Sequence, residues 1–239
     1  LLKYGTLISD KMMSHGLPDS TADLRRSLDQ QYISLLRLME AHLIEHPYFL
    51  GGHPSAADYA VMGALHAHLG RDPAGLRVMQ DNAPRVFRWV EHMIVPEIQS
   101  PEFFSRPIEY LPGDQVPGTA LDILGWIAEE YGQQFILGAI AFNQSMGELN
   151  LASGSALDAE NDQPLLAPQK VVYRGEEKTV QANLHGVWVS QRAQMYWRDL
   201  STEDRAAVME LFGDGVLRDL LEIPVARQIV RKDNRLSVA

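Results

Sequence analysis

The sequence predicts a mainly α protein: a helical bundle over residues 1–118, then an α-helical extension over 119–239 that carries a short β-hairpin. Three observations predict it. Pairs of Ser or Thr with Asp three residues on stand at Ser20–Asp23, Ser55–Asp58, Thr119–Asp122 and Ser201–Asp204, each just before an apolar run; this is the capping-box signature of a helix N-terminus. Apolar residues recur at one-face helical spacing through most of the first 95 positions. Prolines at 96, 101, 107, 112 and 117 then interrupt all periodicity, so residues 95–118 read as a connector with little regular structure. The extension is expected to pack on the first part as one continuous domain, with two packed subdomains as the alternative.

Taken in order, Tyr4, Leu7, Ile8 and Met12 share one helical face until His15-Gly16-Leu17-Pro18 ends it. From the box at Ser20, a stripe of Leu24, Leu28, Tyr32, Leu35, Met39 and Leu43 predicts an amphipathic helix of about 25 residues. Ser55 and Asp58 are assigned a structural capping role, opening a helix that Gly70 is placed to end. That helix keeps almost no polar face, so it is expected to be buried on all sides. A short helical piece follows around Leu76–Gln80, and Pro84 starts another whose stripe is Val86, Trp89, Val90 and Met93.

Beyond the connector, Thr119 is expected to cap a helix with Leu121, Leu124, Ala128, Tyr131, Phe135, Gly138 and Phe142 on one side, apolar nearly all round at its end. Residues 150–169 read as a surface loop, and Lys170–Gln181 as a hairpin turning at Arg174–Glu177. Val187-Trp188-Val189 reads as another extended piece, and the Ser201 box opens a helix through Phe212. The tail carries Arg227, Arg231, Lys232 and Arg235; a salt-bridged docking strand is the preferred reading over an anion site.

Composition sets outer bounds. The 239 residues carry a net charge of −10, which argues against nucleic acid or an acidic membrane as partner. Zero cysteines exclude disulfides, thiolate zinc sites and a cysteine nucleophile, and they fit a cytoplasmic location.

The phrase Gly51-x-x-Pro54-Ser55-x-Ala57-Asp58, with His46-Pro47-Tyr48-Phe49-Leu50 before it and Asp72-Pro73 and Ala83-Pro84-Arg85-Val86-Phe87-Arg88-Trp89-Val90 after it, resembles the all-helical C-terminal domain of glutathione S-transferases over roughly residues 20–95. Leu184 to Gln191 and Arg231 to Leu236 more loosely resemble the C-terminal extension of larger bacterial transferase-like proteins. The first resemblance implies the hydrophobic-substrate and dimerisation half of a protein that conjugates the thiol of glutathione, a co-substrate, to an electrophile. In that family a thioredoxin-like domain in front of the helices holds glutathione and supplies the group that keeps its thiol ionised. The chain opens Leu1-Leu2-Lys3-Tyr4, without methionine and inside the first expected helix, which reads as part of a longer protein, and no catalytic residue is assigned within it. The resemblance further implies a hydrophobic electrophilic small molecule facing Tyr4, Ile8, Met12 and His66, and a homodimer through the first two helices, with Tyr32 and Leu36 at the contact. A non-catalytic interaction module on the same fold is the alternative.

Other candidates have plainer readings. His42 and His46 could pair on a metal, but a site needs further ligands and Glu45 points elsewhere, so no metal is assigned. For His66 and His68 the competing role is a helix C-terminus favoured by cationic side chains. Trp126, Trp188 and Trp197 default to core, and Glu129-Glu130 to a solvated helix face.

Overall fold

The computed structural model describes Leu7 and residues 21–96, 100–157, 166–173 and 176–239. The chain divides into two compact units, one over Thr21–Trp126 and the other including Ile127–Ala239. The predicted N-terminal helix falls, Leu7 apart, outside the described residues.

In the first unit, α1 spans Ala22–Glu45, α2 Ala56–Ala64, α3 Pro73–Asn82 and α4 Pro84–His92. The start of α1 lies one residue beyond the expected box: Thr21 is the N-cap and accepts the N–H of Leu24 at 3.1 Å, leaving Asp23 to pair with Arg26. The inward side of α1 is Leu24, Gln31, Leu36, Met39, His42 and Leu43. It packs on α3 and α4, and Met79, Val86, Trp89 and Val90 close the core from their side. Helices α3 and α4 are separated by Ala83 alone, because Pro84 forbids the preceding residue a helical conformation. The orphan N–H groups opening α4 are taken by Glu40 of α1, whose carboxylate accepts from Arg85 at 2.9 Å and Val86 at 3.2 Å.

The central helix departs from expectation. Within α2 only Asp58 is buried, while Tyr59 is 49% exposed and Ala60, Gly63 and Ala64 face out. The packing contacts on α3 and α4 are made instead by its continuation, a π-helical turn over Leu65–Leu69 in which Leu65 is buried. Apolar composition recorded that α2 needs a cover; it could not say that its own unit covers one side only. Gly70 ends the turn by donating to the Leu65 carbonyl five residues back, with no room for a Cβ between them.

The connector is tied down more firmly than its prolines suggested. Single 3₁₀ turns lie at Pro101–Phe103 and Pro112–Asp114, and Phe103 enters the core. Residues 106–111 form a strap across the turn before α2: the Gly52 N–H donates to the Glu109 carbonyl at 2.8 Å, and the Leu111 N–H to the Leu50 carbonyl at 2.9 Å. Gly51 adopts φ +125, and a Cβ on Gly52 would stand 1.9 Å from the Pro107 carbonyl oxygen. Both positions therefore require glycine.

Helix α5, Gly118–Glu148, runs from the first unit into the second. Its first turn is closed by the Pro117 carbonyl accepting from Ala120 and Leu121, so Thr119 is not its cap. The segment Phe135 to Phe142 is not buried all round, since Ile140 is exposed.

In the second unit, β1 Gln169–Tyr173 and β2 Glu176–Val180 form the expected antiparallel hairpin. Val187-Trp188-Val189 is helical rather than extended. It lies in α6, Leu184–Asp199, capped by Asn183 accepting the His185 N–H at 2.9 Å. Period decides over local β-propensity: Val187, Gln191 and Gln194 fall on one buried helical face. Helix α7, Thr202–Phe212, has the predicted Ser201 cap with the Asp204 N–H at 3.0 Å, and α8 spans Val216–Glu222. The tail adds a second hairpin that the sequence reading did not foresee, β3 Ile229–Lys232 and β4 Arg235–Val238. Its two-residue turn, Asp233 at φ 51 and Asn234 at φ 61, has the left-handed pair of a type I′ loop.

The core here joins Ala141, Phe142, Leu157, Leu166, Val187, Ile229 and Val238. Leu157 and Leu166 of the expected surface loop are core, while Ala152, Ser153, Gly154, Ala156, Ala167 and Pro168 around them are exposed as expected. Side-chain amides bind the elements together. Gln191 accepts from Ile229 N–H at 2.8 Å and donates to the Arg227 carbonyl at 2.7 Å, while Gln194 donates to the carbonyls of Leu220 and Ile223.

Candidate functional site

The centre of the first unit is the start of α2. Asp58 is fully buried, and its carboxylate gathers three donors: Phe49 N–H at 3.0 Å on Oδ1, and the Ser55 N–H at 2.8 Å and Ser55 O–H at 2.7 Å on Oδ2. Ser55 in return takes the N–H of Asp58, closing the box. Burial pushes the Asp58 carboxyl up, while the bonds from Ser55 and Phe49 pull it back. The bond to Phe49 was not foreseen; it joins the lead-in 46–50 to the helix it precedes. Every one of these bonds holds chain to chain, as the capping role requires.

His42 sits beneath this turn. Its Nε2 lies 3.1 Å from the Tyr48 carbonyl, which can only accept, so Nε2 carries the proton and Nδ1 accepts from the Thr119 hydroxyl at 2.8 Å. Here is the use of Thr119 that displaced the expected cap. With both nitrogens engaged, His42 has no lone pair left for a metal, although its ring stacks on His46 at 5.2 Å. Burial, followed by the nearby His46 charge, pushes His42 down to about 4, against the opposing pull of the Tyr48 bond and Glu45. Burial and then Arg106 hold His46 below its ordinary value too. Among the described residues no cluster of three His, Asp or Glu side chains is placed to hold a metal ion.

Two surface grooves flank the strap. One of about 370 Å³ has His46, Arg106, Glu109 and Tyr110 among its lining residues, with Pro47, Pro107 and Leu111. The other, of about 360 Å³, is lined by Tyr48, His53, Pro54, Tyr59, Pro96 and Ile108. Tyr110 braces the wall between them by donating to the Pro54 carbonyl at 3.1 Å and meeting the His53 ring edge-on. The second groove takes in Tyr59 and so continues the uncovered face of α2.

Of the candidate substrate-binding residues, Tyr4, Ile8 and Met12 lie outside the described residues. His66 is half-buried in the π-helical turn, with Arg71 Nη2 against its Nε2, and lines neither groove. Leu36 is fully buried within the unit and so cannot itself form a dimer surface, while Tyr32 is half-buried and donates to the Gly75 carbonyl. Burial raises the Tyr32 phenol to about 12. Trp126, Trp188 and Trp197 are half-buried, and Trp89 is the indole that enters the core.

The family model described as "Glutathione S-transferase, C-terminal domain" matches residues 22–92. Helices α1 to α4 with the buried Ser55–Asp58 box therefore form a glutathione S-transferase C-terminal-like domain. No curated protein and no solved structure matches the chain. Among the described residues no helix is long and apolar enough to cross a membrane.

Proposed function

We propose that this chain is the hydrophobic-substrate and assembly half of a glutathione S-transferase-like protein, in which conjugation of the glutathione thiol to an electrophile requires a thioredoxin-like domain. One observation carries the reading: the face of α2 bearing Tyr59, Ala60, Gly63 and Ala64 is apolar and uncovered, and it runs into the aromatic groove of Pro54, Tyr59 and Ile108. A flat hydrophobic electrophile fits such a surface. Tyr4, Ile8, Met12 and His66 are proposed to complete it, and a cytoplasmic location follows from the same reading.

Isothermal titration of the 239-residue chain is expected to show no saturable binding of glutathione, and assays with an aryl halide no conjugation. The same aryl halide should bind, with Tyr59→Asp weakening it about tenfold, the worth of one partly buried aromatic contact. Tight, saturable glutathione binding to this chain overturns the division of labour.

A second reading, a non-catalytic interaction module, is favoured by Phe104 and Ile108 of the connector, each 67% exposed. Large apolar side chains exposed to this degree suit a flat protein contact more than an enclosed ligand. The homodimer belongs to both readings and needs at least ~1,000 Å² of buried surface. Sedimentation at micromolar concentration is expected to show a dimer that Ile108→Asp weakens. A species near the chain mass of 26.8 kDa, unchanged on concentrating, counts against it.

A further inference from the structure

In the second unit, positive side chains gather at one indole without a carboxylate among them. Arg192, one turn after Trp188 on α6, places its guanidinium 5.5 Å from the centre of the Trp188 ring, and Arg231 on β3 places its own at 5.7 Å. The His185 ring lies 5.2 Å from the same indole. Lys232 follows Arg231 and is exposed, as are both arginines. In a chain of net charge −10, acidic partners would be expected. Yet Arg192, Arg231 and Lys232 form no ion pair among the described residues. Arg231 and Lys232 therefore take no part in the salt-bridged tail expected from sequence. Arg231 has a 3.4 Å bond to Asn234 in its own turn, and Arg227 donates to the Leu151 and Ala239 carbonyls.

Cation–π attraction to an indole restrains a guanidinium and leaves its N–H groups for a bidentate acceptor. Two such guanidinium groups at a single ring are held ready before any ligand arrives. Their combined charge exceeds what one carboxylate can use and matches a doubly charged phosphate. We propose that Arg192 and Arg231, both held at the Trp188 ring, bind the phosphate group of a small phosphorylated molecule. The acidic remainder of the chain opposes an extended polyanion such as nucleic acid or an anionic membrane.

The test follows the Trp188 indole N–H resonance of the full chain, assigned with Trp188→Phe, during titration with pyrophosphate at constant ionic strength. Acetate and vesicles containing phosphatidylserine are titrated in parallel. A saturable shift is expected with pyrophosphate, with affinity falling about tenfold in Arg192→Gln and in Arg231→Gln, the effect of losing one charged hydrogen-bonding partner. Arg192→Lys keeps the charge without the fork and should fall between. Arg192 is exposed on a helix, so Arg192→Gln should melt like the parent; it keeps the test decisive should Arg231→Gln disturb the hairpin. An unsaturable shift, equal affinity for acetate, or unchanged binding in Arg192→Gln overturns the proposal. A response to the vesicles alone also overturns it.

Discussion

Replacing Asp58 by alanine is expected to destabilise the first unit by about 3–5 kcal/mol, in the range of the most damaging single substitutions. The carboxylate accepts from Phe49 N–H, Ser55 N–H and Ser55 O–H, and no water reaches it. Alanine leaves all three donors buried, and an unsatisfied buried donor costs about 1–3 kcal/mol, less than additively when the donors share a site. The loss is not confined to the cap, because the Phe49 bond fixes the turn in which Gly51 and Gly52 meet the strap. Ser55→Ala removes one arm of the box and should cost about 1–2 kcal/mol. Asp58→Asn keeps one acceptor oxygen but turns an N–H₂ toward a donor, so it should fall between the two. Urea unfolding followed by Trp89 fluorescence measures all three. Asp58→Ala within a few tenths of a kcal/mol of the parent would show that the buried carboxylate does not hold this turn.

The parts of this fold legible in the sequence are those set by near neighbours. The caps at Ser55 and Ser201, the proline start of α4, and the β1–β2 hairpin each depend on residues a few positions apart. The failures share a cause as well. At Thr119 the box pattern is intact, but the hydroxyl goes to His42, a partner 77 positions away in the chain. At Val187 three residues with strand preference sit in a helix, because one of its sides is buried against Phe142 and Ile229. At α2 the sequence reported an apolar surface correctly and was silent on what covers it. The Asp233-Asn234 turn carries its own local signal, two left-handed-prone residues between apolar-bearing strands, set among the charges of Arg231, Lys232 and Arg235. The candidate site followed the same rule. The Ser55–Asp58 box was visible at a spacing of three, whereas the groove beside it depends on a strap that returns from Ile108 and Tyr110.

Lowering the pH from 7 to about 4.5 is expected to destabilise the first unit through His42, and the sign follows from where its proton can go. In the unfolded chain His42 takes up a proton near its ordinary 6.5; in the folded protein burial holds it at about 4. Between those values the unfolded state binds the proton and the folded state does not, so stability falls as pH falls. Full passage through the window is worth about 3 kcal/mol, at 1.36 kcal/mol per pK unit. The groups acting on the ring are Tyr48 and Thr119 at its nitrogens, with His46 and Glu45 beside it. His46, also held low, adds to the loss with the same sign. Asp58 opposes it at the acid end: its raised carboxyl binds a proton in the folded state first, which favours folding as pH drops. His42→Gln cannot titrate, so it should be less stable than the parent at pH 7 and lose its disadvantage as the pH falls. The direct measurement is the titration of the His42 Cε1–H resonance in the folded chain. Its midpoint should lie below 5; a midpoint near 6.5 would mean that neither burial nor the Thr119 and Tyr48 bonds hold the ring neutral, and the acid sensitivity would need another source.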